Sequence, residues 1–204
     1  MKLYSLKQAP NPRRVRIFLA EKKAAVPIEE FDMDARPGHR EPAFLDKNPL
    51  GQLPVLELDT GETITESVAI CRYFEELMPE PPLFGRSSAE RVAVEMWNRR
   101  MEHELFLPVI DVFLHTHDFW VGRRQQVPTY GDLRRQQVIE RMQWLDKELE
   151  GREFVGVDRY NIADITAQVA ILTARGALRL RIPEDHKNLS RWWEAVSRRP
   201  SARA

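Results

Sequence analysis

Leu53-Pro54-Val55-Leu56-Glu57-Leu58-Asp59-Thr60-Gly61-Glu62-Thr63-Ile64-Thr65-Glu66-Ser67 decides how the first half of the chain folds. Residues 53–58 read as a strand opened by a proline. Asp59-Thr60-Gly61 breaks it, and Glu62-Thr63-Ile64 begins the return strand of a hairpin. A helix follows over about 67–77, with Val68, Cys71, Phe74 and Met78 at helical spacing. Pro54 admits two readings. It is tolerated as a strand-edge residue, or the Leu53–Pro54 peptide is cis and turns the Leu53 N–H and C=O outward, where they can pair with an extended peptide ligand. Thr65-Glu66-Ser67 also admits two. Thr65 or Ser67 caps the helix, with the acidic neighbour favouring the positive end of its dipole. Alternatively, the free N–H groups and the Ser67 hydroxyl form a carboxylate site, beside which Glu66 holds an amine. Carboxylate and amine side by side are the head group of an amino acid.

Upstream, Lys2 to Leu6 alternates polar and apolar residues as a strand does. Asn11 then precedes Pro12, the arrangement of an N-cap before proline at the first helical position. Val15, Phe18 and Leu19 extend a helix to about residue 24, and 28–32 read as a second strand. Strand, helix, strand at this length is a βαβ unit with parallel pairing. With the turn cluster Asn48-Pro49-Leu50-Gly51 and the hairpin, the order becomes βαβ–ββα, which is thioredoxin-like.

Downstream, Pro79, Pro81, Pro82 and Gly85 mark residues 79–88 as a linker. Beyond it the pattern is helical: 90–115, capped by Ser88 and kinked at Pro108, then 132–150, 161–175 and 189–198, with 121–131 as a polar loop. The expected fold class is therefore α/β plus all-α. A thioredoxin-like domain spans 1–78, a linker 79–88 and a helical domain 89–204.

Composition narrows the chemistry. The 204 residues carry 31 Lys plus Arg against 31 Asp plus Glu, and zero net charge argues against a nucleic-acid binder. Arg13, Arg14 and Arg16 read as solvated or paired cations at a helix start. The single cysteine, Cys71, excludes an internal disulfide and a zinc–cysteine site, fits a reducing compartment and reads as core packing. His115 and His117 are two positions apart, so on a helix they point away from each other and do not form a metal pair. No apolar run approaches the roughly 18 residues of a membrane span, and no signal peptide is evident. The expected location is the cytoplasm. Met101, Phe106, Phe113 and Trp120 read either as the lining of an acceptor pocket or as helical core.

Leu53-Pro54-Val55-Leu56, Glu66-Ser67 at a helix start and Ile70-Cys71-Arg72-Tyr73 resemble the cytosolic glutathione transferase superfamily. So do residues 10–16 (Pro-Asn-Pro-Arg-Arg-Val-Arg), the run 44–52 ending Asn48-Pro49-Leu50-Gly51-Gln52, and Asn161-Ile162-Ala163-Asp164, which looks like the family's capping box with Asn161 in place of the usual Ser or Thr. The resemblance covers nearly the whole chain. It implies glutathione as co-substrate, a homodimer, and an acceptor that is a small hydrophobic electrophile or a disulfide. Carried over residue by residue, Glu66 and Ser67 hold the γ-glutamyl end, Leu53 before Pro54 pairs with the cysteinyl unit, and His39 and Gln52 meet the glycine carboxylate. His39 equally reads as a solvated loop residue and Gln52 as a turn residue.

The thiol-activating position departs from the common pattern. Ala9 stands where serine-type members have Ser, and Lys7 where tyrosine-type members have Tyr; Tyr4 and Ser5 come too early. Asn11 resembles the asparagine of nu-type bacterial members that act on disulfides. Its amide can donate to the glutathione sulfur, and the helix N-terminus favours a thiolate. Asn11 equally reads as an N-cap alone. The resemblance thus implies an enzyme with a glutathione thiolate nucleophile. Ala9 leaves open the alternative of a non-catalytic interaction module on the same fold.

Overall fold

A computed structural model describes residues 1–31 and 41–204. The chain forms two compact units, Met1–Leu83 with Pro200–Ala204, and Phe84–Arg199.

In the first unit, β1 (Lys2–Ser5), α1 (Pro10–Lys22), β2 (Ile28–Glu30), the short α2 (Pro42–Leu45), β3 (Val55–Glu57), β4 (Thr63–Ile64) and α3 (Ser67–Leu77) follow in order. The sheet order is β2-β1-β3-β4. β1 pairs parallel to β2, and the hairpin β3–β4 joins antiparallel to β1. This is the expected βαβ–ββα arrangement. Leu3, Val55 and Leu56 of the central strands are fully buried, as are Val15, Ile17 and Phe18 of α1 and Ile70 and Cys71 of α3. A satellite cluster of Tyr4, Phe44 and Val55 carries Phe31 and Leu53 at its edge.

The last residues close on α1. Arg13 donates to the Ala202 carbonyl at 3.1 Å, and the Ser201 hydroxyl donates to Glu21.

The second unit is helical: α4 (Ser88–Arg100), a π-helical segment (Met101–Phe106), α5 (Leu107–Thr116), α6 (Pro128–Glu148), α7 (Ile162–Gly176) and α8 (Lys187–Ser197). Ser87 rather than Ser88 caps α4, accepting from the Glu90 N–H. Just before Pro108, where a kink was expected, the helix runs through a π-helical segment. Proline has no N–H to donate to the preceding turn, and the Leu107 N–H reaches back five residues to the Glu102 carbonyl. The loop expected to Gly131 ends earlier, because Pro128 starts α6 and Gly131 lies inside it. A Cβ on Gly131 would stand 2.4 Å from Thr116 Cγ2. This glycine lets α5 and α6 touch and does not break a helix.

α7 is buried along almost its whole length. Its capping box is present: Asn161 Oδ1 accepts from the Ala163 N–H at 2.9 Å, and Asp164 Oδ2 accepts from the Asn161 N–H at 3.0 Å. Among the described residues no helix is long and apolar enough to cross a membrane.

Candidate active site

The first turn of α1 differs from its sequence reading. Pro10 occupies the first helical position and Ala9 the N-cap, so Asn11 is the second residue of the helix and not its cap. Both prolines satisfy the helix-start geometry, and the earlier one wins. Pro10 and Pro12 have no N–H, and the Ala9 N–H is taken by the Leu6 carbonyl at 3.0 Å. Among the described residues, the peptide N–H left open at this turn is that of Asn11, beside its own side-chain amide. Arg16 holds the preceding loop, donating to Ser5 Oγ and the Lys7 carbonyl at 2.7 Å each. Its cost is visible as a guanidinium pKa pushed down by burial.

α3 begins without a side-chain cap, so Thr65 and Ser67 do not have the capping role. The N-cap is Glu66, exposed and at φ 65°, ψ 116°. A non-glycine residue there costs about 1–3 kcal/mol. This strained turn sets the exposed Glu66 and the buried Ser67 next to each other at an open helix N-terminus, whose first N–H groups have no intrahelical acceptor.

Residues 56 apart in sequence meet here. The Ser67 hydroxyl donates to Asn11 Oδ1 at 3.4 Å. Beneath them Arg14, 1% exposed, donates through Nη1 to Ser67 Oγ at 2.8 Å. At the far end of the same two helices Lys22 pairs with Glu75 at 2.6 Å. N-terminal ends meet and C-terminal ends meet, so α1 and α3 lie side by side in the same direction. Their positive poles converge on Asn11 and Ser67, backed by the permanent charge of Arg14. Such a place suits a carboxylate or a thiolate, and Glu66 adds an acceptor for an ammonium group.

The Leu53–Pro54 peptide is cis. Pro54 is buried and Leu53 half-buried, and the Leu53 backbone N–H and C=O take no partner among the described residues. The turn before it is tied by Asn48, 4% exposed. Its Nδ2 donates to the Gln52 carbonyl at 2.8 Å and its Oδ1 accepts from the Leu50 N–H at 3.2 Å. Gln52 itself is exposed. His39 lies outside the described residues.

Other candidates are drawn off into structure. Cys71 is fully buried, and burial pushes its thiol up to about 12, so it is no nucleophile at neutral pH. The Tyr4 hydroxyl donates to Glu57 at 2.6 Å. His115 Nδ1 accepts from the Val127 N–H and His117 Nδ1 from the Phe119 N–H. Met101 and Phe106 are core, whereas Phe113 and Trp120 are half-buried and pack edge to face, with Phe119 beside both. Arg14, Arg16 and Asn48 escaped the sequence reading. The available signal was that Val15, Ile17, Phe18 and Leu19 leave α1 almost no polar face, so a cation among them must be buried.

Comparison with known proteins agrees with this geometry. Residues 9–77 match the model of the glutathione S-transferase N-terminal domain, and residues 105–200 that of the C-terminal domain. Glutathione S-transferase 2 of Saccharomyces cerevisiae is 34% identical over 209 residues, covering 100% of this chain and 88% of that protein. The crystal structure of yeast Gtt2 superposes with a TM-score of 0.92 at 33% identity, covering 100% of this chain and 99% of that one. A glutathione S-transferase domain-containing protein from Marinobacter aquaeolei superposes with a TM-score of 0.93 at 36% identity, covering 98% and 99%. Matches over both units, together with the meeting of the α1 and α3 N-termini, lead to one conclusion: the chain belongs to the glutathione S-transferase family.

Proposed function

We propose that the chain binds glutathione across the paired N-termini of α1 and α3 and uses its thiolate as the nucleophile. The observation that carries this reading is the approach of Ser67 Oγ to Asn11 Oδ1 at 3.4 Å, which joins a head-group site to a thiol site. Glu66 takes the γ-glutamyl ammonium, and Ser67 with the open N–H groups of α3 takes its carboxylate. Leu53 pairs with the cysteinyl backbone, and Gln52 and His39 serve the glycine carboxylate. The sulfur then lies toward the Asn11 amide. Asparagine is no base at pH 7, so the thiol proton leaves to solvent, and the two amide donors of Asn11 lower the pKa from its ordinary value of about 8.5.

With a carbon electrophile, the thiolate forms a C–S bond and the leaving group departs with its electron pair. With a disulfide, the thiolate attacks one sulfur, a mixed disulfide forms, and the other half leaves as a thiolate. A second glutathione thiolate then attacks the glutathione sulfur of the mixed disulfide, giving oxidised glutathione and releasing the second half. In the same reading, residues 1–78 bind glutathione, a linker spans 79–88, and the helical residues 89–204 serve the acceptor. The protein is then a cytoplasmic homodimer, as the family resemblance suggests.

Calorimetric titration with reduced and with oxidised glutathione tests the reading. Binding of the reduced form is expected. Tighter binding of the oxidised form assigns disulfide reduction, and binding of the reduced form alone assigns conjugation or isomerisation. Absence of both would contradict the site and favour the non-catalytic interaction module.

A further inference from the structure

We propose that Arg14 is a positioning residue for the reaction: from beneath the site it sets the direction of the Ser67 hydroxyl and, through Ser67, the orientation of the Asn11 amide. This rests on the reading above, in which Asn11 Nδ2 faces the glutathione sulfur.

The bonds run in one direction. Guanidinium only donates, and Arg14 Nη1 lies 2.8 Å from Ser67 Oγ. Ser67 therefore accepts on its buried side, and its single proton points outward. There it meets Asn11 Oδ1 at 3.4 Å. An amide has one accepting and one donating end. With the oxygen turned to Ser67, the NH₂ group faces the other way, toward the open side of the turn. A serine without Arg14 beneath it can also accept from Asn11 Nδ2, and the amide then has two competing orientations. Arg14 fills one of the two lone pairs of Ser67 Oγ and so biases the pair toward the direction seen, with the hydroxyl donating to Asn11 Oδ1. When a carboxylate arrives at Ser67, the same polarity presents a proton to it.

Packing alone does not call for this residue. Arg14 is 1% exposed, on a helix whose Val15, Ile17 and Phe18 are fully buried and apolar. Burying a permanent cation is costly without partners, and one of its partners, Ser67, is a residue of the proposed glutathione site.

The test is the pKa of the thiol of bound glutathione, followed by thiolate absorbance against pH at saturating glutathione, with thermal unfolding measured alongside. Arg14→Met is expected to raise that pKa by about one unit, a tenfold loss of thiolate below the pKa. It is expected to add little on an Asn11→Ala background, and Arg14→Lys should restore part of the shift. Arg14→Met that unfolds earlier but keeps the wild-type thiol pKa would overturn the proposal, and so would a full shift that persists without Asn11. If Asn11→Ala alone leaves the thiol pKa unchanged, the Asn11 reading itself fails, a result distinct from failure at Arg14. Should Arg14→Met not fold, Ser67→Ala cuts the same chain of bonds with Arg14 in place. It must raise the thiol pKa only when Asn11 is present, and no rise would overturn the proposal.

Discussion

Lys22→Met is expected to destabilise the protein by about 3–5 kcal/mol, the usual loss when one partner of a buried ion pair is removed. The Lys22 side chain has no exposure, and Glu75 opposite it is nearly buried. Its ammonium has three N–H groups and three acceptors: Glu75 at 2.6 Å, the Met78 carbonyl at 2.7 Å and the Pro81 carbonyl at 2.6 Å. Methionine fills the volume but leaves one carboxylate and two carbonyls without that donor. Against a total stability of about 5–15 kcal/mol for a domain, this is a large fraction. The double variant Lys22→Met/Glu75→Leu should recover part of the loss, because the stranded carboxylate is gone while the two carbonyls remain. Urea unfolding midpoints measure both. A single variant within about 1 kcal/mol of wild type would show that the pair does not hold the C-terminal ends of α1 and α3 together.

Asp164→Ala should cost a comparable amount, through a different device. Asp164 Oδ1 accepts from the Val155 N–H and from Trp192 Nε1, both at 2.8 Å. Oδ2 accepts from the Asn161 N–H at 3.0 Å and from Asn161 Nδ2 at 2.8 Å. Asn161 Nδ2 keeps the Val155 and Arg159 carbonyls as acceptors, but the Val155 N–H, the Asn161 N–H and Trp192 Nε1 are stranded at about 1–3 kcal/mol each, so the expected loss is at least about 3 kcal/mol.

The same carboxyl gives a pH signature. Burial pushes it up to about 7 against the pull of Val155, Trp192 and Asn161. A carboxyl raised above its unfolded value of about 3.9 binds its proton more tightly in the fold. Its contribution to stability is therefore complete below pH of about 4 and is lost as pH rises through 7. Thermal unfolding of the wild type should fall between pH 5 and pH 8. Asp164→Asn, less stable throughout, should lack that component. Parallel curves for the two proteins would contradict the assignment.

Much of the architecture was legible in short motifs. The hairpin around Asp59-Thr60-Gly61, the helix starting at Ser67 and the capping box at Asn161–Asp164 are local signals, set by turn residues and apolar spacing, and they appear where expected. The misses have tertiary causes. Asn11 was expected as the N-cap because Asn-Pro is a good helix start, yet Pro10 offers the same fixed φ two residues sooner. Arg14 and Arg16 were expected as solvated or paired cations, and it is the paired alternative that holds, with α3 over one side of α1 and the β1–α1 loop over the other. The polar loop was expected to run to residue 131, but Pro128 starts α6 and Gly131 packs against Thr116, which the local pattern cannot place. The site shows the same division. The residue types of Glu66, Ser67 and Leu53-Pro54 were readable in place, while the contact joining Ser67 to Asn11 arises only when α1 and α3 are laid side by side.

The central claim is that the first turn of α1 holds glutathione as a thiolate at Asn11. The most direct measurement is the thiolate absorbance of glutathione saturating the wild-type protein and Asn11→Ala, titrated across pH. The wild-type complex should show a thiol pKa below the free value of about 8.5, and Asn11→Ala should return it toward that value while still binding glutathione. A bound thiol that titrates like free glutathione in the wild-type protein would contradict the account.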